Sequence, residues 1–202
     1  VPDGVDLEIG GTVEDQGDAF SDLGVLFILI VILVYIVMAT QFESLKFPFI
    51  IMFTIPFAFT GVFLALWMTS TPLSLIALIG AIMLVGIVTK NGIVMVDYMN
   101  LLIERGSGVF DAVIAGGKSR LRPVLMTSFT TILGMLPLAI GTGAGSETWQ
   151  PMGIAVIGGL TFSTILTLFI VPVLYSILVN RSQRKEREKL ARLSAEHQAS
   201  KH

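Results

Sequence analysis

Five times in 202 residues the chain enters a stretch of about 18 or more residues that is almost entirely apolar. These stretches cover residues 23–40, 47–68, 73–102, 123–142 and 152–178. Each is long enough, at 1.5 Å per residue, for a helix to cross a hydrocarbon layer about 30 Å thick. A soluble fold would have to hide all five in one small core, and with 14% charged residues the chain has too little polar surface to do so. The expected fold is therefore an all-α membrane protein of five transmembrane helices. Cysteine is absent, which excludes disulfides, thiol chemistry and Cys-based metal sites.

The basic residues set the expected direction of the spans. Lys46 lies between the first two stretches, and Arg105, Lys118, Arg120 and Arg122 lie between the third and fourth. Seven more follow the fifth, from Arg181 to Lys201, so twelve of the thirteen Lys and Arg residues fall on one side. The positive-inside rule puts that side, and the tail 181–202, in the cytoplasm. Residues 1–22 hold seven acidic groups and no basic one, and are expected outside. No signal peptide is read at the start. An odd number of spans behind an exported acidic segment points to further polypeptide upstream.

The thirteenth basic residue is Lys90, near the middle of the third stretch, in "GIVTKNGIVMVDYMN" (residues 86–100). A charge at that depth costs roughly 3 kcal/mol on insertion scales, so it should face protein and have a partner. Asp97 is seven residues on and shares a helical face, but two turns separate the pair by about 10.5 Å, too far for direct pairing on a straight helix. Spans one, two, four and five contain no Asp or Glu. Three readings stay open: a neutral Lys90, a counter-charge in missing upstream polypeptide, or a static ion pair that locks helices. The second fits the upstream-segment expectation. Thr89 and Asn91 flank the lysine, and the fourth span opens with Arg120 and Arg122 before Thr127, Ser128, Thr130 and Thr131. Protonatable and hydroxyl groups at membrane depth can form a proton path. The alternatives are interface anchoring for the arginines and bonding of the hydroxyls to their own helix.

The remaining features read as scaffold. Residues 104–122 are expected to form a short amphipathic helix on the membrane surface, with Val109, Phe110, Val113 and Ile114 at helical spacing. Pro123 is placed at the start of the fourth helix, where a missing N–H costs nothing. Ala155, Gly159 and Ser163, and likewise Ala77 and Ala81, recur every fourth residue as close-packing faces. The basic tail is expected to lie under the inner leaflet.

Four segments together carry a family resemblance: "QFESLKFPFIIMFTIPFAFTGVFLAL" (41–66), "GIVTKNGIVMVDY" (86–98), "RLRPVLMTSFTTILGMLPLAIGTGAGSE" (120–147) and "VPVLYS" (171–176). The chain resembles the C-terminal portion of resistance-nodulation-division efflux transporters, in the hydrophobe/amphiphile branch, over about residues 8–180. The resemblance implies half of a twelve-helix transporter, with residues 1–22 ending a periplasmic porter domain. It implies proton-driven export of lipophilic or amphiphilic compounds (multidrug efflux) from the bacterial inner membrane. The implied partners are an upstream half carrying paired intramembrane aspartates, two further copies in a homotrimer, a periplasmic adaptor and an outer-membrane channel. By motif position it implies a proton relay of Lys90, Asn91, Arg120 and Thr127. Arg120 is preferred to Arg122 because it stands seven residues before Thr127. Asp97 is not assigned to the relay.

Metal export is not expected, because the heavy-metal branch of the resemblance lacks the Lys-Asn pair. The nine methionines are also scattered without a shared helical face. No cofactor, nucleic-acid partner or enzymatic activity is expected: there is no nucleotide-binding loop, and His197 and His202 both lie in the tail. The rival reading is a non-transporting remnant or membrane-assembly subunit that keeps the helical scaffold. A co-purifying half with paired aspartates separates the pump from the remnant.

Overall fold

Apolar stretches with few β-breaking turns and no strand partners satisfy their backbone groups internally, and they do so here as helices. The computed structural model describes residues 12–199 except 142 and 144, with side chains described over 15–181. Six helices follow in order: α1 (Thr12–Phe42), α2 (Lys46–Met52), α3 (Thr54–Met68), α4 (Leu75–Glu104), α5 (Val109–Ile140) and α6 (Ser146–Ala199). Helices α2 and α3 together make one span, which gives five that are long and apolar enough to cross a membrane. No strand occurs among the described residues. The fold is thus the expected all-α arrangement of five spans.

Helix α6, Ser146–Ala199, outruns the expected 152–178 at both ends, and three further boundaries differ from the sequence reading for physical reasons. Helix α1 starts at Thr12 rather than near residue 23. Asp15 and Asp18 occupy its first turns, where the partial positive charge of a helix N-terminus favours carboxylates. Of the expected outer segment, residues 1–11 lie outside the described residues. The second span breaks at Phe53, because Pro56 has no N–H to give the carbonyl of Met52. The Thr54 hydroxyl donates instead to the carbonyl of Ile51 at 2.6 Å.

The third difference corrects an expectation. No separate surface helix precedes Pro123; α5 runs unbroken from Val109 to Ile140 with Pro123 inside it. Its first half is held against α4 by close contacts. Gly116 seats the Met99 side chain, leaving no room for a Cβ. The Arg120 guanidinium lies 4.6 Å from the centre of the Tyr98 ring. Packing of this kind lets a helix continue through a proline that would end it in isolation.

Helix α6 is the hub, packed against α3, α4 and α5. Glycines permit its close approach to α3: a Cβ on Gly158 would meet the Ala65 Cβ at 2.1 Å, and one on Gly61 would meet the Phe162 Cβ at 2.5 Å. One apolar cluster joins Val62, Ala77, Leu84, Val88 and Leu160. A second, nearer the other end, joins Met38, Ile51, Met95, Met99 and Tyr175. Tyr175 donates a hydrogen bond to the side-chain carbonyl of Asn100 and stacks on Phe47, tying α6 to α4 and α2. The Gln150 amide donates to the carbonyl of Ala139 and links α5 to α6 at the opposite end. Gly141 ends α5 at φ 69°, a left-handed conformation that costs glycine least.

Candidate functional site

A helix through a bilayer has sides, and the side on which Lys90 sits decides what it can do. On α4 the neighbouring Val88, Thr89 and Gly92 are buried, whereas Lys90 is exposed. It lies on a ridge between two grooves. One, of about 450 Å³, runs between α4 and α5 and is lined by Ile87, Lys90, Asn91, Thr127, Ser128, Thr130 and Thr131, with Met126. The other, of about 350 Å³, separates α4 from α1 and is lined by Leu33, Val37, Met38, Thr89, Lys90 and their neighbours. The first groove is polar on both walls; the α1 wall of the second is wholly apolar.

Three of the four sequence-predicted site residues therefore meet: Lys90, Asn91 and Thr127 line one groove. Arg120 does not line it. Its guanidinium rests on Tyr98 instead, and its buried Nε has no hydrogen-bond partner. Arg122 is exposed. Among the described residues Lys90 has no carboxylate partner, and Asp97, also exposed, has no cationic one.

The hydroxyls of α5 are committed to their own helix. Thr127 donates to the carbonyls of Pro123 at 3.1 Å and Val124 at 2.9 Å. Thr130 donates to Met126 and Thr131 to Thr127 in the same way. Such back-bonding hides the donor hydrogen but leaves the oxygen lone pairs facing the groove, so these groups can accept but not readily donate. Ser128 differs. It is buried, points across the interface and exchanges a 2.9 Å hydrogen bond with the Thr164 hydroxyl of α6.

An ammonium and an amide on one wall and acceptor oxygens on the other make a groove suited to charged or hydrogen-bonding partners. Hydrocarbon tails offer neither, and the site is incomplete against lipid alone. Sequence reasoning did not find the Ser128–Thr164 pair, the Asn100–Tyr175 pair or the seat of Arg120 on Tyr98. The first two join residues 36 and 75 positions apart, and no local spacing signals them.

Residues 1–179 match the model of the AcrB/AcrD/AcrF family. The swarming motility protein SwrC of Bacillus subtilis is 38% identical over 185 residues, which is 91% of this chain and 18% of that protein. The cobalt-zinc-cadmium resistance protein CzcA of Cupriavidus metallidurans is 39% identical over 186 residues, 92% of this chain and 18% of that one. The multidrug resistance protein MdtC of Proteus mirabilis is 38% identical over 185 residues, again 91% and 18%. A solved heavy metal efflux pump superposes with a TM-score of 0.77 at 31% identity, over 88% of this chain and 18% of that one. The chain thus spans less than a fifth of the length of these relatives, and relatives named for metals and for drugs match it equally well.

Proposed function

The chain belongs to the AcrB/AcrD/AcrF family of efflux transporters, and from that premise we propose that it is the C-terminal membrane portion of a pump that exports lipophilic or amphiphilic compounds in exchange for protons. The observation that carries this reading is the placement of Lys90: exposed, in a groove with polar side chains, and with no carboxylate partner among the described residues. The upstream half supplies paired carboxylates to that groove. In a site of low dielectric their attraction for the ammonium is several-fold stronger than in water. Protonation of a carboxylate abolishes it, and α4 is then free to shift against the helix that bears the acids.

Asn91 and Thr127 stabilise the released state by hydrogen bonding, Asn91 as donor and acceptor and Thr127 as acceptor. Arg120 acts one step removed, outside the groove and over the Tyr98 ring. Breaking its contact with Tyr98 is the step that would bring it into the relay. The Lys90–Asn91 pair supports lipophilic rather than metal cargo. The N-terminal segment is periplasmic, and the tail cytoplasmic, in the bacterial inner membrane. The complete protein acts as a homotrimer with a periplasmic adaptor and an outer-membrane channel.

The test is proton-driven efflux by cells carrying the complete gene. Lipophilic dyes and cobalt, zinc and cadmium salts serve as cargo. Wild type is expected to export dyes, and Lys90→Ala at equal expression to lose at least tenfold of that activity. Unchanged dye export by the variant removes Lys90 from the mechanism. Export of the cations without the dyes overturns the cargo assignment.

A further inference from the structure

Two buried hydroxyls on α6 are not used by the relay. Ser163 and Thr167 stand one turn apart on α6, 1% and 2% exposed, and neither hydroxyl has a hydrogen-bond partner. Their neighbours on α6 behave differently: Thr161 donates to the carbonyl of Ile157 at 2.7 Å and Ser176 to that of Val173 at 2.8 Å. The hydroxyls at 163 and 167 make no such bond to their own backbone. Between them Thr164 bonds to Ser128, and Ser128 lines the groove that holds Lys90.

The register of the helices places these groups together. At one end a Cβ on Gly80 would touch Met152, and at the other Asn100 accepts a hydrogen bond from Tyr175. Interpolated between those anchors, Ser163 and Thr167 lie level with the turn of α4 that carries Lys90 and Asn91. Leu84 of α4 against Gly159, one turn before Ser163, fixes the same alignment. Because both hydroxyls are covered by this chain's own helices, no upstream polypeptide can reach them. What satisfies them must be small enough to enter the interface.

We infer that the junction of α4, α5 and α6 binds ordered water, held by Ser163, Thr167 and the Ser128–Thr164 pair, and that this hydration site joins the Lys90 groove through Ser128. Water fits the donor set: several hydroxyls within two helical turns supply the two to four partners that a buried water requires, and no carboxylate stands among them to favour a cation. A hydroxyl left dry at this depth would be strongly destabilising, since neither lipid nor apolar side chains can replace its hydrogen bond. Bound water also lets α5 and α6 slide against α4 while every group keeps a partner. Its role in transport rests on the proton-coupled reading above; its presence does not.

Radiolytic hydroxyl-radical labelling of the complete transporter in nanodiscs, read by mass spectrometry, tests the site. Radicals generated from bound water oxidise adjacent side chains even where bulk solvent is excluded. Leu160, fully buried and about one turn from Ser163 on α6, is expected to label well above Leu66, which is similarly buried on α3. Thr167→Val and Ser163→Ala are expected to reduce that labelling to the level of Leu66. Labelling of Leu160 no stronger than Leu66 in the wild type overturns the inference, and this arm needs no variant to fold. Persistence of the labelling in both variants overturns it as well. Loss of labelling in Thr167→Val with dye export intact would leave the water site standing and remove it from the pumping cycle.

Discussion

Helices α4 and α6 bury half of the residues in their most apolar stretches, whereas α1 buries 6% and α5 11%. All four are apolar enough to cross a membrane, so hydrophobicity alone does not separate them. What separates them is position: α4 and α6 are surrounded by other helices, whereas among the described residues α1 packs against α2 and α4, and α5 against α4 and α6. Glycine at 61, 158 and 159 lets the α3 and α6 backbones meet directly, and packing then does what the hydrophobic effect cannot do between helices in lipid. The open helices differ in turn from each other. The outward face of α1 carries Val25, Ile28, Leu29, Ile32 and Ile36 and suits lipid. The outward face of α4 and α5 carries Lys90, Asn91, Thr127, Thr130 and Thr131 and does not. One open face suits the bilayer; on the function proposed above, the other is covered by protein.

The sharpest way to break this contrast is at the closed contact. Gly158→Ala in the complete transporter should cost about 1–3 kcal/mol, since its Cβ would overlap Ala65 and approach the carbonyl oxygen of Gly61 at 2.9 Å. Thermal unfolding in detergent checks this, and an unshifted midpoint would mean that α3 and α6 are not in direct contact. Next in size is Tyr175→Phe, which removes the hydrogen bond to Asn100 but keeps the stacking on Phe47, for a loss of about 1 kcal/mol in the same measurement. Tyr98→Leu comes third. It deletes the ring beneath Arg120 and should cost about 0.5–1 kcal/mol. Smallest is Ile32→Ala on the open face of α1, expected within about 0.5 kcal/mol of wild type. A loss near 2 kcal/mol there would show Ile32 packed against protein, and the contrast between the two open faces would fail.

Span number and helical character were legible because a bilayer imposes length and hydropathy on the sequence directly. The depth of Lys90 and its lack of an acidic partner were legible for the same reason. Other features depended on tertiary contacts. Pro123 read as a helix start because proline is commonest there, but the seating of Met99 on Gly116 carries the helix through it. Acidic residues at 15 and 18 read as an excluded segment, but they suit a helix N-terminus equally well. The groove of Lys90, Asn91 and Thr127 was half visible. Seven-residue spacing grouped Arg120 with Thr127, yet the Tyr98 ring holds Arg120 out of the groove. Ser163 read as a small packing residue, and its unpartnered hydroxyl became visible only once its neighbours were in place.

Whether the polar face of α4 and α5 is covered by protein can be measured directly. The chain contains no cysteine, so spin labels can be placed at Thr130→Cys and Ile32→Cys in the complete transporter, after any upstream cysteines are replaced. Oxygen dissolved in the bilayer is expected to relax the label at 32 strongly and the label at 130 weakly. Equal relaxation by oxygen at the two positions would place the Lys90 groove against lipid and contradict the account.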